Sequence, residues 1–168
     1  MSVYSVAMMS TILPWMLLLV LAALLLAAIW TDLRTRSIPN TLNLAMALLA
    51  VPFWWASGLP VWPDMVLQIG VALLVFALFA GAFALGAMGG GDVKMIGALA
   101  LWLPWQAVLL MLVVMSLAGG VLTVAMLVRR RLARTDAAIE VPYGVAIAFG
   151  GLWVIAPVLS ERILYQFG

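Results

Sequence analysis

Cysteine and histidine are both absent from the sequence. Their absence removes disulfide bonds, thiolate nucleophiles, Ser-His-type triads and the usual zinc ligands from consideration. Charge is scarce as well. Only 8% of the 168 residues are charged, where an ordinary soluble domain has roughly 25%. The net charge of +2 is too small to point to nucleic acid as a partner. What fills the chain instead is apolar, with 68% of residues hydrophobic. The expectation is an all-α integral membrane protein that meets the lipid bilayer over most of its surface. No segment is polar enough to fold as a separate soluble domain, so residues 1–168 read as a single transmembrane unit. Proton-transfer chemistry has to draw mainly on six acids: Asp32, Asp64, Asp92, Asp136, Glu140 and Glu161. The first ten residues lack the basic n-region of a cleavable signal peptide, which makes the first apolar run a retained span.

A spanning helix needs about 20 apolar residues. Thr11–Trp30 meets that requirement. A polar segment, Thr31–Asn40, separates it from a second and shorter run, Thr41–Ala56. Pro39 is unsuited to a helix interior but suits a new start. The turn-rich stretch Ser57–Asp64 leads to a third run, Met65–Ala87. The apolar stretch Met95–Val128 would make about 50 Å of helix, well beyond the ~30 Å hydrocarbon core. Leu103-Pro104-Trp105-Gln106 is the natural break within it. The piece before the break, Met95–Leu103, is short for a span and could begin before Asp92 or be sheltered in part by its neighbours, whereas Gln106–Val128 is ordinary. A last run extends from Val141 to Leu159.

Seven of the eight basic residues fall in three segments: Arg34 and Arg36, Lys94, and Arg129–Arg134. Positive loops stay in the cytoplasm. If all three segments are cytoplasmic, an even number of crossings separates each pair, and Met95–Val128 has to cross twice. The predicted architecture is a bundle of six transmembrane helices with a short fourth helix and both termini outside. Asp32 and Asp92 then share one side of the membrane, and Asp64 lies on the other.

The most unusual stretch is Met88-Gly89-Gly90-Gly91-Asp92-Val93-Lys94. An acid at the mouth of an apolar run is costly and marks a functional site. Glycines beside it allow irregular backbone and close approach of another segment. Two neighbouring carboxyls in a low dielectric cannot both ionise easily, so they share a proton. The ionised member can take a proton from water while the protonated member donates to a peptide carbonyl. A chain without His or Cys can hydrolyse a peptide in this way.

These residues resemble a known family. Gly89-Gly90-Gly91-Asp92 is similar to the G-x-G-D motif of intramembrane aspartyl proteases. Asp92-Val93-Lys94 extends it in the form found in type IV prepilin peptidases. Asp32, followed by basic residues and Ile38-Pro39-Asn40, resembles that family's first aspartate motif. Val141-Pro142-Tyr143-Gly144 resembles its Pro-[Tyr/Phe]-Gly motif at the start of the last helix. The resemblance runs over nearly the whole chain in order and spacing. It implies an aspartic endopeptidase that needs no metal and no cofactor, with Asp32 and Asp92 as the catalytic pair. The substrate would be a prepilin, cut to remove its short basic leader at the cytoplasmic face of the bacterial inner membrane. Larger relatives add a cysteine-based zinc site and N-methyltransferase activity. This chain lacks those cysteines and resembles the small peptidase-only (Tad/Cpa) form that serves Tad/Flp-type pili. Archaeal preflagellin peptidases share the motifs. Oligomeric state is left open.

Each residue also has a plainer reading. Asp92 could cap a helix N-terminus. Asp32 could be a solvated loop acid paired with Arg34 or Arg36. Gly89 and Gly91 could serve packing alone. Lys94 could be a snorkelling anchor or could tune Asp92 and contact substrate. Arg129–Arg134 fits a cap on anionic lipid. Glu140 fits a solvated loop, and Tyr143 and Gly144 fit the shaping of a helix start beside the site. Two other functions use the same residues: a proton-coupled transporter, and a non-catalytic subunit of a pilus assembly machine. The transporter is disfavoured because no acid continues a relay through the middle of any span.

Overall fold

In lipid, a backbone must satisfy its own hydrogen bonds, and a chain this apolar does so as helices. The computed structural model describes the backbone of residues 3–133 and 141–167 and the side chains of residues 12–132 and 141–160. The helices are α1 (Val3–Thr35), α2 (Asn40–Ala56), α3 (Val66–Ala84), α4 (Gly90–Ala100), α5 (Trp105–Ala133) and α6 (Tyr143–Phe167), and no strand occurs among the described residues. Four stretches are long and apolar enough to cross a membrane: Ile12–Thr35, Val61–Ala84, Trp105–Leu132 and Tyr143–Ser160. The other two helices fall short of the six-span expectation by length. With 17 residues in α2 and 11 in α4, they reach only about 25 Å and 16 Å.

Two helix boundaries fall beyond the ends of the apolar runs. The polar segment after Trp30 does not end α1. Polarity there marks the edge of the apolar run, but nothing stops the backbone ladder, and the Arg36 N–H still bonds to the Asp32 carbonyl at 3.0 Å. The turn comes at Arg36, with φ of +52°. Pro39 then precedes the first residue of α2. At the other boundary, α4 starts at Gly90, ahead of the apolar run that opens at Met95, so Asp92 lies inside its first turn. Within Ser57–Asp64, the expected loop passes into a π-helical turn, Val61–Met65, kinked at an extended Trp62. Glu140 and Asp136 lie outside the described residues.

The short α4 is the centre of the bundle. Residues 95–100 are all buried, and α4 packs against α2, α3 and α6. A helix that stops inside an apolar core leaves C-terminal carbonyls without intrahelical donors. Here side chains supply donors. Trp54 Nε1 donates to the Leu101 carbonyl at 2.7 Å, and Gln68 Nε2 donates to the same oxygen at 2.8 Å. Trp102 Nε1 in turn donates to the Met46 carbonyl at 2.8 Å. Two side chains thus terminate α4 within the bundle and tie it to α2 and α3, and Trp102 adds a second tie to α2.

A consequence can be measured by thermal unfolding in detergent. Trp54→Phe or Gln68→Leu alone leaves the Leu101 oxygen one donor and should cost about 1 kcal/mol. The double variant removes both of these donors and should cost more than the sum, by roughly 1–3 kcal/mol. Simple additivity would show that the shared carbonyl is not what couples them.

Candidate active site

Asp32 sits in the last turns of α1 and is only 4% exposed, which removes the solvated-loop alternative. Its Oδ2 accepts the Val145 N–H at 3.1 Å, and the Gly144 N–H also bonds to the carboxylate. These donors belong to the first turn of α6, where helix geometry leaves N–H groups free and favours an anion. Pro142, directly before the helix, is buried. Arg36 is the basic residue whose charge bears on Asp32. Arg34 instead lies over the Trp30 ring, 4.1 Å from its centroid.

Asp92 is the third residue of α4, and the N-cap position belongs to Gly89. The carboxylate reaches back to the Gly89 N–H, the backward half of a capping box. A Cβ on Gly89 would stand 2.9 Å from Asp92 Oδ2, so the carboxylate would have to shift. Gly144 is tighter still: a Cβ there would meet Ile38 Cδ1 at 2.7 Å and Asp32 Oδ2 at 2.9 Å. These two positions keep side-chain atoms off the carboxylates. Gly91 packs on Ile38, and its carbonyl accepts the Asn43 Nδ2–H at 2.9 Å.

Both carboxyls line one cleft of about 970 Å³, together with Arg36, Gly89–Gly91, Lys94 and Tyr143. Burial, and then the negative charge of Asp32, push the Asp92 carboxyl up to about 6, against the opposing Gly89 N–H. Lys94 stands at the rim of the cleft and is exposed, with Nζ donating to Asn40 Oδ1 at 2.8 Å. Asp64 is exposed at the kinked π turn and does not line the cleft.

The raised carboxyl makes a signed prediction. Native Asp92 holds a proton that the unfolded chain releases near pH ~4. Its contribution to stability is therefore present below about pH 4, declines as pH rises to about 6, and is flat above. The difference in Tm between the parental protein and Asp92→Asn, followed by pH in detergent, should widen across that window in favour of the Asn variant. No change in that difference would show that Asp92 keeps an ordinary carboxyl.

Sequence reasoning passed over Asn43 and Gln68. Asn43 is 5% exposed and lies within what reads as an apolar run. The signal was available, because an amide inside an apolar run is expensive and calls for a partner. The partner itself, 48 residues away, was not.

The profile of the type IV leader peptidase family matches residues 19–124. This chain belongs to the type IV leader peptidase family. The matched region of this family member holds Asp32, Gly89, Gly91, Asp92 and Lys94, whereas Pro142, Tyr143 and Gly144 lie beyond it. Among similar proteins is the prepilin leader peptidase/N-methyltransferase of Pectobacterium carotovorum subsp. carotovorum, 32% identical over 139 residues, or 80% of this chain and 49% of that protein. The protein of the same name from Aeromonas hydrophila is 30% identical over 157 residues, 89% of this chain and 53% of its own length. That of Aeromonas salmonicida (strain A449) is 29% identical over 140 residues, covering 81% and 47%. The chain spans about half the length of the curated relatives it matches. No solved structure matches it.

Proposed function

We propose that this leader peptidase family member is an aspartic endopeptidase that removes the leader from type IV prepilins, of the Tad/Flp kind, at the cytoplasmic face of the inner membrane. The observation that carries the reading is that Asp32 and Asp92, 60 positions apart in the sequence, line one cleft and are coupled through their charges. Two neighbouring acids, one of them held up to about 6, are the apparatus for water attack on an amide. The ionised carboxylate takes a proton from water as its oxygen bonds to the scissile carbonyl carbon. The other carboxyl gives its proton to the carbonyl oxygen. As the tetrahedral intermediate collapses, the C–N bond breaks and a proton passes to the leaving amine. No covalent bond to the enzyme forms, and no metal or cofactor takes part.

Of the two activities in the relatives' names, we take only the peptidase to this chain, read as a single transmembrane peptidase domain. Gly89 and Gly144 keep space beside the acids, Gly91 and Pro142 shape the two helix starts, and Tyr143 and Lys94 border the bound peptide. Lys94, Arg34 and Arg36 are anchored to the cytoplasmic leaflet. Six crossings, with Met95–Leu103 as the short one and both termini outside, keep these cations on one side.

The test is incubation of the purified protein in vesicles with a Flp-type pilin precursor, followed by N-terminal sequencing of the product. A new N-terminus directly after the basic leader supports the reading. An intact precursor, with the protein folded and in the membrane, overturns it.

A further inference from the structure

A second depression adjoins the cleft. It is an apolar groove of about 480 Å³ with α2 and α3 as walls and α4 as floor. The walls scarcely touch each other, because each packs on α4 instead. Leu44 on one wall and Leu73 on the other are 58% and 63% exposed, so the groove opens toward lipid. Asn40 and Lys94 line both the groove and the cleft, making the two continuous. Small residues, Ala47, Ala72 and Ala98, line its interior and permit close approach of another helix.

One buried atom there is unsatisfied. Asn43 lines the groove, and its Nδ2 is committed to the Gly91 carbonyl. Its Oδ1 is buried with no donor. An orphaned acceptor of this kind calls for an explanation. We propose that the groove seats the apolar helical segment of the substrate that follows the scissile bond, and that Asn43 Oδ1 accepts an N–H from the first turn of that helix. The inference rests on the peptidase reading above.

Three points fix the occupant. A peptide lying in a lipid-facing groove has to be helical, because only a helix satisfies its own backbone there. The start of a helix presents free N–H groups, whereas its end presents carbonyls. An unpaired acceptor on Asn43, one turn along α2 from the shared residue Asn40, therefore matches a helix whose N-terminus points toward the two acids, with the leader running on into the cleft. A lipid acyl chain would fit the apolar walls but has no donor for Asn43. Another lipid-facing groove, about 580 Å³ between α5 and α6 and bordered by Leu117 and Trp153, shares no lining residue with the cleft.

The cysteine-free sequence makes the test direct. Single cysteines are introduced as Leu44→Cys, Leu73→Cys or Leu117→Cys in an Asp92→Asn background, which holds substrate uncut. The probe is a pilin precursor that the parental protein cuts, carrying one cysteine in its apolar segment. Oxidative crosslinks at positions 44 and 73 should exceed that at 117 by about tenfold, as expected for a docked rather than a diffusing helix. Separately, Leu73→Trp, a change on the exposed face, should raise KM about tenfold while kcat holds, the mark of lost uniform binding. Preferential crosslinking at 117 overturns the inference. So does an absence of crosslinks with an unchanged KM, which would leave the groove to lipid. A precursor that the parental protein does not cut fails the peptidase reading itself, and the inference falls with it.

Discussion

Asp92→Asn should abolish leader cleavage, lowering kcat/KM by about 10⁴-fold, the upper range for loss of an acid–base group. Asn has the shape of Asp but can neither accept the water proton nor carry the shared one. Asp32→Asn should do the same, because in the proposed mechanism each acid works only through the other. For the same reason the double variant should be no slower than either single one, the non-additivity of groups that act as a unit. The loss cannot be laid to unfolding. Removing the charge at 92 relieves a buried carboxyl that burial and Asp32 already push up to about 6, so Tm at neutral pH should hold or rise. Cleavage of a pilin precursor, with membrane level and Tm as controls, decides the matter. Parental rates in either variant would take that residue out of the reaction. In Asp32→Asn, the titration of Asp92, followed by carboxyl NMR, should move down as the repelling charge is removed.

Gly144→Ala, a single methyl, should cost about 100-fold in kcat, the penalty for displacing a reacting group by around 1 Å. The new Cβ would fall 2.7 Å from Ile38 Cδ1, 2.9 Å from Asp32 Oδ2 and 3.0 Å from its Cγ. Ile38 is buried and cannot retreat far. The carboxylate, held by the Val145 N–H, is the group that shifts. The control is Gly120→Ala on α5, where a Cβ meets nothing within 4 Å. There the change should leave cleavage untouched and stabilise the helix by roughly 0.5–1 kcal/mol. Equal activity of both variants would show that Gly144 serves helix packing rather than the placement of Asp32.

Much of the fold follows from periodless apolar runs and their punctuation. Pro39 marks the start of α2, and the break at Pro104 falls between α4 and α5. The end of α1 was misread because polarity and helix termination are different events. A membrane edge changes which side chains are tolerated, whereas only Arg36 and Pro39 interrupt the backbone. Asn43 and Gln68 were overlooked for a related reason. In an apolar window they register as noise, yet each supplies a donor to a carbonyl of the α4 region.

The sequence by itself determined that this is a helical membrane protein without cysteine or histidine, and that Asp32 and the glycine-flanked Asp92 are its unusual acids. Those conclusions rest on composition and on neighbours a few residues apart, where local physics is sufficient. Only the tertiary structure decided that the shortest helix is the buried centre, that Trp54 and Gln68 cap its end, and that the first turn of α6 holds Asp32. Those contacts join residues 47, 33 and 113 positions apart. No periodicity encodes them, because they exist only once the helices have packed and each buried polar group has found its partner.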